Sequence, residues 1–132
     1  MGLYELVLRS EFPAAHSLRL RGDQHEPVHK HDWRVEVFLE GRRLDDADMV
    51  ADFTVLQRNL TTIVGELRDR CLNELPAFSA CHPSAERVAK HLHDRYRPTL
   101  PPGVGLAKVR VWETGECAAA YIPTDTQTEK VD

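Results

Sequence analysis

The stretch F-P-A-A-H-S-L at 12–18, a polar turn, and then H-E-P-V-H-K-H-D-W at 25–33 decides how this chain is read. Three imidazoles stand out: His16, His29 and His31. The last two are spaced i, i+2, and in an extended strand that spacing puts both side chains on one face. His16 lies 13 residues upstream of His29, across a segment with Gly22, Asp23 and Pro27. A neighbouring antiparallel strand brings it opposite the pair. Three neutral imidazoles on converging strands form an open zinc site, with a fourth position free for water or substrate. Surface histidines beside a turn give the same spacing. H-x-H alone divides evenly between the two readings, and His16 behind F-P-A-A favours metal.

Outward from this stretch the pattern is that of strands. Residues 29–40 alternate cleanly: Trp33, Val35, Val37 and Leu39 face one way, and Asp32, Arg34, Glu36 and Phe38 the other. This is a half-buried strand. His29 and His31 share parity with Trp33, so they sit on the packed face, where a neutral, liganded imidazole is favoured over an unpaired charge. Upstream, 3–9 reads as a strand that continues to His16. It contains Pro13, which belongs at an edge or a bulge. Residues 17–28 read as a loop.

Downstream, Phe53, Leu56, Leu60, Ile63, Val64 and Leu67 recur at helical spacing and predict a helix over 53–70, capped by Asp52. A connection follows at 71–83. Ser84 caps a second helix over 85–97 with Val88, Leu92 and Tyr96 on one side, ended by Pro98, Pro101, Pro102 and Gly103. Strands are expected at 105–113 and 117–122, joined by the turn Thr114-Gly115-Glu116. The order is ββααββ, an α+β chain. It predicts a four-stranded antiparallel sheet with two helices on one face, a single domain over 1–123 and a polar tail over 124–132. Such a sheet leaves two open edges, which a homo-oligomer would cover by closing the sheets into a larger barrel.

Composition sets the outer bounds. A chain of 132 residues is one domain by size and can bury a core without disulfides or metal staples. A net charge of −4, with no Lys/Arg cluster, argues against a nucleic-acid partner. No apolar run approaches membrane-spanning length, so no membrane partner is expected. Cys71, Cys81 and Cys117 are odd in number and widely spaced. They suit reduced thiols in a cytoplasmic protein better than a disulfide framework. The start, M-G-L-Y-E-L, has no basic region of the kind that opens a signal peptide.

Taken together, these residues resemble the 6-pyruvoyl-tetrahydropterin synthase / 6-carboxy-tetrahydropterin synthase family, which has the tunnelling fold (T-fold). F-P-A-A-H at 12–16 resembles its F-x-A-A-H, and H-K-H at 29–31 its H-G-H. M-V-A-D-F at 49–53 resembles its M-[VI]-x-D-F. L-N at 72–73, H-P-S-A-E at 82–86 and W-E-T at 112–114 resemble L-N, N-P-T-x-E and x-E-T. The likeness runs over residues 4–122. It implies that His16, His29 and His31 bind zinc, that the substrate is a pterin, and that Glu113 anchors it. A carboxylate can accept both the amino and the ring N–H of a pterin. Ser84 replaces the family's threonine near the pterin, and Thr114 follows the anchor. A homohexamer built as a dimer of trimers is implied as well.

The departures carry their own information. The family's synthases place a catalytic cysteine four residues before the first histidine of H-G-H; here that position is His25. Arg68 and Asp69 replace the family's Asp-His pair, and Lys30 replaces the glycine between the histidines. Glu26, in E-P-V-H-K-H, matches a subset of the family that carries glutamate in place of the cysteine. Those members resemble aldolases that cut the side chain of dihydroneopterin triphosphate. Glutamate is a fitting general base if burial raises its pKa. His25 would serve as acid or partner Asp69 in a proton relay. The resemblance thus points to a zinc-dependent pterin lyase with Glu26 as base. The alternative is a non-catalytic zinc- and pterin- or purine-binding member that has lost the synthase machinery.

Overall fold

The computed structural model describes residues 2–20, 22 and 24–124. Asp23 of the turn and the expected tail beyond Thr124 lie outside the described residues. Two long strands open the chain, β1 (Tyr4–His16) and β2 (His29–Gly41). They pair antiparallel along their whole length, with His16 opposite His29, Ala14 opposite His31 and Phe12 opposite Trp33. Residues that face each other across a ladder share a sheet face. This register therefore puts all three histidines on one face, at one end of one hairpin.

Two helices cover that face. Helix α1 (Phe53–Gly65) buries Leu56, Leu60, Ile63 and Val64. Helix α2 (Ala85–Tyr96) buries Val88, Ala89, Leu92 and Tyr96. Both begin as the sequence reads: the Asp52 carboxylate accepts from the Thr54 N–H at 2.8 Å, and the Ser84 hydroxyl accepts from the Arg87 N–H at 3.2 Å. The helices meet Leu8, Phe12, Trp33, Val35, Val37, Leu39, Val109 and Val111 in one core. Each large side chain buried there is worth about 1.5–3 kcal/mol of transfer free energy. The buried Tyr96 hydroxyl donates to the Leu56 carbonyl at 3.0 Å and ties α2 to α1; burial pushes its pKa up to about 12. Strands β4 (Gly105–Trp112) and β5 (Ala118–Tyr121) complete the hairpin expected at the end of the chain.

The sheet departs from expectation at one edge. With a short strand β3 (Arg70–Cys71) it has five strands in the order β3-β1-β2-β4-β5, not four. The added strand pairs parallel to Ala14 and Ala15 of β1, so the sheet is not purely antiparallel. The helix predicted to run to residue 70 stops at Gly65. Leu67 keeps its buried place from within the turn that follows, which is why apolar periodicity alone overran the helix end. Asp69 then takes a positive φ of 61° and its N–H donates to the Pro13 carbonyl at 2.7 Å. In a strand the N–H and C=O of one residue point to the same side. The proline nitrogen thus faces away from β2, where its missing N–H costs the long ladder nothing. Phe53 is also corrected: placed on the apolar face by periodicity, it is 51% exposed at the start of α1.

Candidate metal centre

Hairpin register brings the histidines together, and two loop carbonyls aim them. The His16 Nδ1 lies 2.8 Å from the Pro83 carbonyl, and the His29 Nδ1 lies 2.9 Å from the Pro27 carbonyl. A carbonyl only accepts, so in both rings Nδ1 carries the hydrogen, and in the neutral ring Nε2 carries the lone pair. This second contact is what orients a metal-binding imidazole. Trp33 holds the rings from below, edge to face with His16 at 4.9 Å and His31 at 5.6 Å between centroids. Its indole N–H donates to the Ala14 carbonyl at 3.1 Å.

The Nε2 atoms of His16 and His31 are buried and have no hydrogen-bond partner among the described residues. A buried nitrogen without a partner is costly unless something else satisfies it. Ligand atoms of His16, His29, His31 and Glu113 all lie within 4.8 Å of one another. Neutral imidazole nitrogens with a carboxylate form a donor set that suits zinc, so the residues present fit the metal that the resemblance implies. Burial holds the His31 pKa below its ordinary value against the opposing pull of Glu113; His16 and His29 push it the same way as burial.

Glu113 arrives from β4. Arg34 pairs with Trp112 in the β2–β4 ladder, so one more step sets Glu113 level with Trp33, on the histidine face. Its carboxylate lies 3.4 Å from the His31 Nε2 and 4.0 Å from the His16 Nε2. Glu26 approaches from the loop that joins β1 and β2. Its Oε1 accepts from the Leu18 N–H at 3.0 Å and lies 3.8 Å from the His29 Nε2. The Glu26 carbonyl accepts from the Ser17 hydroxyl at 2.6 Å, and its N–H donates to the Leu18 carbonyl at 3.0 Å. Asn73 clamps Ser17 in turn: its amide donates to the Ser17 carbonyl at 2.8 Å and accepts the Ser17 N–H at 2.9 Å. Glu26 therefore sits at the cluster by a chain of backbone contacts, not by chance exposure.

The other expected site residues lie elsewhere. His25 is exposed and bridges Arg19 across the loop through the backbone. Asp69 is exposed in the turn against β1 and does not join the cluster in this chain. The Ser84 hydroxyl serves as the cap of α2. The Thr114 hydroxyl accepts from the Glu116 N–H at 3.2 Å and the Cys117 N–H at 3.1 Å, closing the turn that follows Glu113. None of Cys71, Cys81 and Cys117 is a member of the donor set. Sequence reading missed the aiming carbonyls of Pro27 and Pro83 and the clamp of Asn73. Backbone acceptors leave no signature in a sequence, although Asn73 stands in the L-N landmark.

The family model described as 6-pyruvoyl tetrahydropterin synthase matches residues 5–124. The dihydroneopterin monophosphate aldolase of Pyrococcus furiosus is 31% identical over 111 residues, which cover 84% of this chain and 90% of that protein. The 6-pyruvoyl tetrahydropterin synthase of Caenorhabditis elegans superposes with a TM-score of 0.79 at 22% identity, covering 94% of this chain and 98% of that one. A catalytic-residue mutant of the Plasmodium vivax 6-pyruvoyltetrahydropterin synthase, with cysteine in place of a glutamate, superposes with a TM-score of 0.77 at 16% identity, covering 94% and 99%. These last two are likenesses of fold.

Proposed function

Because the chain belongs to the 6-pyruvoyl tetrahydropterin synthase family, and so to a family of pterin-processing enzymes, we propose that it is a zinc-dependent lyase that cleaves the side chain of a phosphorylated dihydroneopterin, with Glu26 as general base. The observation that carries this reading is the placement of Glu26 at 3.8 Å from the His29 Nε2, where no thiol stands. The Pyrococcus relative is named for an aldolase activity, which supports side-chain cleavage, and the Plasmodium protein's catalytic residue is a glutamate, which supports a carboxylate base.

His16, His29 and His31 would hold the zinc. Bound there, zinc supplies a positive charge that lowers the pKa of the substrate's side-chain hydroxyls. Glu113, across the cluster from Glu26, accepts the amino and ring N–H of the pterin. Ser84, which caps α2, and Thr114, which closes the turn after Glu113, would contact the substrate from those positions beside the cluster. In the cleavage step Glu26 takes the proton of the hydroxyl on the second side-chain carbon. The bond between the first and second side-chain carbons breaks, and its electron pair passes into the ring imine. A proton returned to the first carbon completes 6-hydroxymethyl-dihydropterin, and the second and third carbons leave as a phosphorylated two-carbon aldehyde. His25 and Asp69 complete the proton relay where subunits meet, in a hexamer made of two trimers; each subunit is one domain over residues 1–123, in the cytoplasm.

The test is Glu26→Gln, which keeps shape and removes the base. Losing a general base lowers turnover by ~100- to 10,000-fold. Products of dihydroneopterin mono- and triphosphate, resolved by mass, should show that loss while zinc and pterin still bind. A chain with all three cysteines replaced should stay within a few-fold of the parent. An active Glu26→Gln beside an inactive cysteine-free chain would sink the reading. If nothing is turned over, yet pterin binds and Glu113→Ala abolishes that binding, the chain is a zinc- and pterin-binding member instead.

A further inference from the structure

A second cleft opens beside the metal centre. Its volume is about 500 Å³, and it is lined by Leu18, Arg19, Ala80, Cys81, His82, Ser84 and Arg87. No carboxylate lines it. Among the described residues, neither Arg19 nor Arg87 forms an ion pair. The contrast with the outer sheet face is instructive. There Arg9 and Arg110 flank Glu36 at 3.3 and 3.5 Å, and Arg34 stacks over Trp112, so those guanidiniums already have partners. The cleft instead offers two guanidiniums and an imidazole to something brought from outside.

Both walls of the cleft are tied to the metal centre. One wall is the loop hairpin that carries Glu26: Leu18 bonds the Glu26 carboxylate and backbone, and Arg19 pairs with His25. The other wall is the turn around Pro83, whose carbonyl aims His16; His82 and Ser84 flank it, and Arg87 stands one turn along α2. The cleft thus shares its walls with the loop that holds Glu26 and the turn that aims His16, within reach of a group attached to the substrate's side chain.

We propose that Arg19 and Arg87, with His82, form the subsite for the substrate's phosphate ester. This rests on the pterin reading above. Guanidinium forks match phosphate oxygens in pairs and add charge-assisted hydrogen bonds. The subsite favours a phosphorylated dihydroneopterin over the free alcohol, and it acts on binding and not on the bond-breaking step.

The test compares dihydroneopterin monophosphate with unphosphorylated dihydroneopterin, for the parent and for the double variant Arg19→Ala/Arg87→Ala. Expected is a rise in KM for the monophosphate of about tenfold or more, with kcat within a few-fold and the unphosphorylated substrate unaffected. Arg19→Lys/Arg87→Lys should recover part of the loss. Pyrophosphate titrated calorimetrically gives a readout independent of turnover: the parent should bind it and the Ala/Ala variant should not. Pyrophosphate binding unchanged by the double substitution overturns the subsite, whatever the turnover. An intact preference for the monophosphate in an active double variant overturns it as well. If the parent turns over no pterin but loses pyrophosphate on substitution, the anion site stands and the lyase reading falls.

Discussion

His16 divides two tasks between its two ring nitrogens. One is spent on the Pro83 carbonyl, and the other is buried without a partner among the described residues. That division leaves the ring of a core histidine suited to donate to a metal. His29→Ala or His31→Ala should each abolish stoichiometric zinc in metal analysis of the purified protein, because a two-histidine set leaves too few donors for tight binding. Full occupancy in both variants would refute the assignment. Glu113 reaches the same space, so its role needs its own measurement. Glu113→Gln should retain zinc and lose pterin binding; loss of zinc would make the carboxylate a metal ligand instead of the pterin anchor.

Among the elements, α2 carries the most interpretable residue. Ser84 caps the helix, and Pro83 just before it aims His16. Ser84→Ala should lower stability by ~1 kcal/mol in denaturant melts, and Ser84→Asp, also a good cap, should restore it. Equal loss in both variants would deny the capping role. On the uncovered side of the sheet, Glu36 is 9% exposed, enclosed by Arg9, Arg110 and Trp112. The Trp112 indole N–H, donating at 2.8 Å, holds its carboxyl below the ordinary glutamate range; burial opposes this, and Arg9 and Arg110 assist. A carboxyl whose folded pKa is depressed contributes stability above its unfolded pKa and loses it as pH falls through the folded pKa. The parent should therefore lose stability relative to Glu36→Gln as the medium is acidified through and below the ordinary glutamate range. Parallel curves for the two proteins would remove Glu36 from the acid limb.

At the scale of the whole molecule, the edges of the sheet matter most. Much of the outer edge of β1 is already occupied: Gln57 donates to the Arg9 carbonyl at 2.9 Å, Arg68 to the Glu11 carbonyl at 2.7 Å, and β3 pairs with Ala14 and Ala15. The start of β1 and the free side of β5 remain for pairing. Exposed strand edges are templates for another chain. Sedimentation at micromolar concentration should give a hexamer; a monomer near 15.0 kDa would contradict it. None of the helices described is long and apolar enough to cross a membrane.

Much of this protein could be read from local pattern. Period-two alternation placed Trp33, Val35, Val37 and Leu39 in the core, and the same parity put His29 and His31 beside them. Period-3.6 recurrence found both helices, and Asp52 and Ser84 marked their starts. These succeed because burial and capping act between residues near in sequence. The tertiary structure decided what depends on distant partners. Leu67 stays buried whether or not the helix continues, so only packing could show that the chain leaves α1 at Gly65 and adds β3 beside β1. Glu26 reaches the histidines through backbone contacts with Leu18, and Asp69 does not reach them in this chain. Arg19 and Arg87 line one cleft from positions 68 residues apart in the chain. A sequence records which charges exist, but only the fold sets which of them share a cleft.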